Sequence, residues 1–97
     1  MINDVNGTHA IKGILRQYFT ERVLPLIGNK KFGDDESFME TGILDSTGVL
    51  ELLQYIETRF KMRIEDHEII PDNLDSLNRL ASFIDKKAQS LAQSIQV

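Results

Sequence analysis

The chain has 97 residues, enough for one small domain that folds without staples, and none is cysteine, so disulfides and thiolate metal sites are excluded. Against 11 Lys plus Arg stand 15 Asp plus Glu, a net charge of −4, which argues against a nucleic-acid backbone as partner and favours basic protein surfaces. No apolar run approaches the length of a membrane span and no basic-then-apolar leader opens the chain, so a cytoplasmic protein with no membrane span is expected.

Met1 to Gly7 is polar and reads as a frayed end before Thr8, a residue type suited to a helix cap. From there Ile11, Ile14, Leu15, Tyr18, Phe19 and Val23 fall on one face, with Lys12, Arg16, Gln17 and Arg22 between them, predicting a first helix that ends near Pro25. At helical spacing, Tyr18 and Phe19 belong to a core and not to a ligand-stacking pair. His9 has no second ligand in sight for a metal. Gly28 to Leu44 is long for a helical bundle, and Phe38, Met39, Ile43 and Leu44 should pin it onto the helices as an ordered crossover. Asp34-Asp35-Glu36 lacks the alternating ligands of a calcium loop and reads as a solvated charge run.

A second helix begins at Asp45 or Ser46, both residue types that accept hydrogen bonds from the first helical turn. Val49, Leu52, Leu53, Ile56 and Phe60 then give it one buried face. As a cap, Ser46 is explained by structure alone. A phosphate ester on it would also be held there, by free N–H donors and the positive end of the helix dipole. From Asp34 to Glu57 the chain carries Asp34, Asp35, Glu36, Glu40, Asp45, Glu51 and Glu57 with no Lys or Arg, either an acidic docking surface or a solvated one.

Beyond Phe60, Arg59, Lys61 and Arg63 suit a helix C-terminus, and Met62 and Ile64 carry the chain inward. A short helical turn is expected over Asp66 to Ile70, with Ile69 and Ile70 facing the core, His67 on the surface, and Pro71-Asp72-Asn73 stopping it. Asp75-Ser76-Leu77 opens a capped final helix whose buried face holds Leu77, Leu80, Phe83 and Ile84, and a polar tail, helical or frayed, runs from Asp85 to Val97.

Leu44-Asp45-Ser46, followed by Glu51-Leu52 and Phe60, resembles the acyl carrier protein family, including its discrete aminoacyl and peptidyl carrier relatives. The resemblance runs from about Phe38 to about Ile84. It implies an all-α fold, a small four-helix bundle with three longer helices, one short helix and a long first loop, formed by residues 1–97 as a single carrier domain with 1–7 and about 90–97 frayed. It implies that Ser46, beside Asp45 at the helix start, carries 4′-phosphopantetheine, on whose thiol acyl groups ride as thioesters. Thr47, Leu50, Glu51, Gln54 and Glu57 would then meet partners: a phosphopantetheinyl transferase, and acyl- or aminoacyl-loading ligases or synthases with basic docking surfaces. The chain itself would act as a monomer. Most members have Leu after the serine where this chain has Thr47 followed by Gly48, which changes the grip available to partners. Asp75-Ser76-Leu77 copies the attachment triplet more literally, but Ser76 lies in an apolar context with Arg79 three residues on, so Ser46 is the expected site.

Ser46 is not within Gly-x-Ser-x-Gly, and His9 and His67 sit in no triad motif, so no enzyme is expected. The serine is a substrate for another enzyme. Fatty acyl, polyketide and aminoacyl cargo are equally compatible with these residues, and cargo could slip between the helices past Met39 and Met62 as adaptable lining. The alternative is an unmodified helical adaptor with an acidic binding face.

Overall fold

The computed structural model describes residues 7–95, with side-chain surroundings through residue 91. Apolar spacing decides the first element: Ile11, Leu15 and Tyr18 are buried on one side of α1 (Thr8–Tyr18), and Phe19 and Val23 extend that side through a wider π turn, Phe19–Val23. A 3-10 turn, Leu24–Ile27, follows, and Gly28 closes it at φ 82°. The chain thus stays helical past Pro25, because a proline in the first turn gives up only an N–H that has no helical acceptor there. The expected cap moves back by one residue. Gly7, not Thr8, is the N-cap, with no side-chain bond, and its carbonyl accepts from the Ile11 N–H at 3.0 Å.

The long loop is ordered by two sets of ties. Phe19 stacks on Phe38 with ring centroids 4.8 Å apart, and Phe32 lies 5.4 Å from Phe19, so the loop's aromatics pack on the start of the π turn that extends α1. Ile43 and Leu44 are buried as expected; Met39 is not. Its backbone N–H is turned to Asp75 Oδ1 at 3.1 Å, and its side chain is left half in water at 50% exposure. The second set is polar. Asp34 is no solvated charge: its carboxylate accepts from Arg16 at 2.6 Å and Lys12 at 3.0 Å, while its carbonyl accepts from the Asn78 N–H at 3.0 Å, joining the loop to both long flanking helices. Asp35 accepts from the Asn78 amide at 2.6 Å.

α2 (Ser46–Phe60) buries Leu52, Leu53 and Ile56, whereas Val49 and Phe60, at its ends, are only half-buried. Phe60 therefore carries less of the core than its place in the helical register suggests. Lys61 ends the helix in the left-handed region, and Met62 and Ile64 are buried beyond it. A 3-10 turn, Asp66–Glu68, is tied to the last helix by Glu68 and Lys87, 2.9 Å apart. Ile69 and Ile70 are exposed, contrary to expectation, because the turn ends at Glu68 and Ile70 is the extended N-cap of a new helix, α3 (Pro71–Leu74). Pro71 begins that helix instead of stopping one.

α4 (Leu77–Ile95) packs along α1 and α3 and buries Leu77, Leu80, Ala81 and Ile84, with Phe83 half-buried at the margin. The architecture is all-α: three longer helices, one short helix and the long first loop, with no strand among the described residues. Of the segments read as frayed ends, residues 1–6 and 96–97 lie outside the described residues, and α4 is helical to Ile95.

Candidate functional site

At the start of α2 the capping and the exposed roles fall to different residues. Asp45 is extended (φ −109°, ψ −172°); its Oδ1 accepts from the Gly48 N–H at 2.8 Å and its carbonyl from the Val49 N–H at 2.9 Å. Asp45 is thus the cap. Ser46 becomes the first helical residue, exposed, with no hydrogen-bond partner for its hydroxyl among the described residues. Two glycines shape the approach. Gly42, at φ 77°, turns the loop back so that Ile43 and Leu44 enter the core just before the cap. A Cβ on Gly48 would meet Leu44 Cδ2 at 3.0 Å, so glycine lets the loop lie tightly against the first turn of α2.

Thr47, Leu50, Glu51 and Gln54 are all exposed on α2, and Leu50 presents an apolar side chain at 61% exposure. Glu57, on the same helix, is half-buried. Its carboxylate accepts from the Ile64 N–H at 2.8 Å, so it is engaged in fixing the chain reversal after the helix. Thr47, Glu51 and Gln54 instead line an open groove of about 920 Å³ between α2 and the helical extension of α1. Tyr18 and Tyr55, stacked at 4.4 Å, line it together with Arg22 and Arg59, and the Arg22 guanidinium lies 5.8 Å from both tyrosine ring centroids. Burial raises the pKa of Tyr18, and the nearby Glu51 carboxylate adds to the rise while Arg22 opposes it.

The acidic window seen in the sequence is divided in space. Asp34 is neutralised by Lys12 and Arg16, Glu36 accepts from the Gly33 N–H, Asp45 caps, and Glu57 holds a turn. Glu40 and Glu51 are left as exposed carboxylates with no hydrogen-bond partner among the described residues, and Glu51 faces a groove that also holds two arginines. Arg22 and Arg59 were missed as site residues, although the signal was local: each stands four residues after a groove tyrosine, Tyr18 or Tyr55, the spacing of helical neighbours. Ser76 is removed from any surface role, being 2% exposed with its Oγ accepting from the Arg79 N–H at 3.1 Å.

Comparison with known proteins gives this geometry a family context. No protein-family profile matches the chain. The D-alanyl carrier protein of Streptococcus sanguinis (strain SK36) is 28% identical over 71 residues, 73% of this chain and 81% of that protein. The D-alanyl carrier proteins of two Streptococcus thermophilus strains (ATCC BAA-491 / LMD-9 and CNRZ 1066) are each 32% identical over 50 residues, 52% of this chain. The chain is a relative of these carrier proteins. The resemblance read at Leu44-Asp45-Ser46 is borne out at that level, although the match spans 63%, just under two thirds, of the Streptococcus thermophilus proteins. A carrier presents a group to enzymes that act on it and is not itself the catalyst.

Proposed function

We propose that this carrier is phosphopantetheine-dependent and that Ser46 is the residue to which the arm is attached. The observation that supports this most is the division of roles at the start of α2: because Asp45 supplies the cap, the Ser46 hydroxyl is exposed and uncommitted. A phosphodiester fits there. The N–H groups of Ser46 and Thr47 have no acceptor among the described residues, and the positive end of a 15-residue helix favours an anion. When bound, 4′-phosphopantetheine supplies the thiol that holds acyl groups as thioesters, in a chain that has no cysteine of its own.

The chain's own residues then have separate tasks. Asp45 keeps the first turn wound without occupying the serine hydroxyl, and Gly48 and Leu44 hold the loop clear of it. Thr47, Leu50, Glu51 and Gln54 form the exposed stretch that a phosphopantetheinyl transferase and a loading ligase or synthase would meet, with Glu51 attracting basic groups. The printed name of the relatives makes a D-alanyl group one candidate cargo, beside the acyl intermediates of lipid and polyketide biosynthesis. No helix among the described residues is long and apolar enough to cross a membrane, in keeping with a carrier domain acting in the cytoplasm.

The test is incubation of the unmodified protein with coenzyme A and a broad-specificity phosphopantetheinyl transferase, followed by peptide mapping. The added mass is expected on the peptide containing Ser46. Mapping to any other serine, or no gain in mass, would overturn the reading.

A further inference from the structure

Leu26 is the most exposed large apolar side chain among the described residues, at 82%. Its neighbours Leu24 and Ile27 pack against the core, and the 3-10 turn that carries all three is fixed at several points. Pro25 restricts the backbone immediately before Leu26. The N–H groups of Gly28 and Asn29 both donate to the Leu24 carbonyl, the second at 2.7 Å, and the Lys30 ammonium donates to the Thr41 carbonyl at 2.8 Å. Leu26 is therefore held out in water by a tied turn and not by a fraying end.

Two contacts place it relative to Ser46. Tyr18 stacks on Tyr55, and twelve residues after Tyr18 the Lys30 ammonium reaches Thr41, five residues before Ser46, so the extension of α1 runs antiparallel to α2 and toward its start. Leu26 is eight residues after Tyr18, and Thr47 is eight residues before Tyr55, about 12 Å along α2 at 1.5 Å per residue. Both line the same groove. Leu26 thus stands across from the first turn of α2, beside the serine and opposite a threonine that offers a single methyl group.

We propose that Leu26 is a docking anchor for the phosphopantetheinyl transferase that modifies Ser46, entering an apolar pocket on that enzyme. The proposal rests on Ser46 as the attachment site. The transferase has to bring its reacting phosphate to the serine oxygen itself, so its surface closes over the first turn of α2 and over the wall opposite. Loading enzymes work at the thiol, an arm's length away, and are free of that constraint. Covering a leucine is favourable roughly in proportion to the apolar area removed from water, and a side chain on a tied turn loses little freedom when it is covered. One leucine is too little apolar surface to hold two copies of the chain together. It suits an encounter that ends once the arm has been transferred.

The test measures initial rates of transfer from coenzyme A by a broad-specificity phosphopantetheinyl transferase over a range of carrier concentrations, with the product mapped to Ser46. Wild type is compared with L26S, L26M and L91S. Leu91 is the matched control, an exposed leucine on α4 that lines a separate groove. L26S should raise KM for the carrier about five- to thirtyfold with kcat unchanged, the signature of lost binding common to ground and transition states. L26M keeps a similar apolar volume and should stay within about twofold of wild type. L91S should behave as wild type, and all three variants should unfold at the wild-type temperature because the substituted side chains are exposed. An unchanged KM for L26S, an equal rise for L91S, or a loss confined to kcat would overturn Leu26 as the anchor while leaving Ser46 as the attachment site. Absence of the arm from Ser46 in wild type would overturn both.

Discussion

The chain contains the same dipeptide at two helix starts, Asp45-Ser46 before α2 and Asp75-Ser76 before α4, and the two are used in opposite ways. In the first, Asp45 caps and Ser46 is exposed. In the second, Ser76 caps through its Oγ, and Asp75 reaches the other way to accept from the Ser37 hydroxyl and the Met39 N–H. A shift of one residue in where the helix begins therefore decides whether a serine is available to another protein or is 2% exposed. The following residue obeys the same rule: Thr47 is exposed, and Leu77 is fully buried.

That contrast can be broken most severely at the residues after the serines. Leu77→Ala removes a fully buried side chain from the first turn of α4 and should cost about 2–5 kcal/mol, whereas Thr47→Ala should fall within about 0.5 kcal/mol of wild type. Chemical denaturation of the two variants gives the comparison directly. Asp75→Ala comes next. Losing two hydrogen bonds to a carboxylate, one from a backbone N–H, should cost about 1.5–3 kcal/mol and raise amide exchange specifically at residues 37–40. Protection unchanged in that segment would mean that the aromatic contacts alone hold the loop.

Smaller still is the effect of the serines themselves on stability. Ser76→Ala deletes a cap and should cost about 0.5–2 kcal/mol, while Ser46→Ala should be nearly neutral because Asp45 keeps the cap. Equal losses would show that Ser46 contributes to capping after all. The smallest effect concerns pH. Hydrogen bonds from Arg16, then Lys12, lower the Asp34 pKa from its ordinary value of 3.8. The folded state thus gives up this proton more readily than the unfolded one, so the contribution is complete above about pH 4 and is lost as pH falls through the lowered value. At 40% exposure it is modest, and Asp34→Asn should show a slightly shallower fall in melting temperature below about pH 4 than wild type.

Much of this was legible in the sequence because it is local. Helical spacing marked Ile11, Leu15, Leu52, Leu53, Ile56, Leu80 and Ile84 as core, and the two Asp-Ser pairs marked two helix starts. What escaped is nonlocal or turns on a single residue of register. The pairing of Asp34 with Lys12 and Arg16 joins residues about twenty positions apart, and Phe32 is covered by Phe19 and the Arg16 guanidinium, both on another element, and by Phe38. Ile69 and Ile70 were placed inward by assuming one continuous turn, yet Pro71 can begin a helix as readily as it ends one, and here it begins α3. At the site, the position of Ser46 was readable but its freedom from capping was not, since Asp45 and Ser46 are both capping residues and only the geometry of the first turn assigns the role.

The central claim is that one of two chemically equivalent serines is presented to other enzymes and the other is spent on the fold. Intact-mass measurement after treatment with coenzyme A and a phosphopantetheinyl transferase, on wild type, Ser46→Ala and Ser76→Ala side by side, tests it most directly. Wild type and any folded Ser76→Ala protein should gain a single arm, and Ser46→Ala should gain none while unfolding at nearly the wild-type temperature. A modified Ser46→Ala, or an unmodified but folded Ser76→Ala, would contradict it.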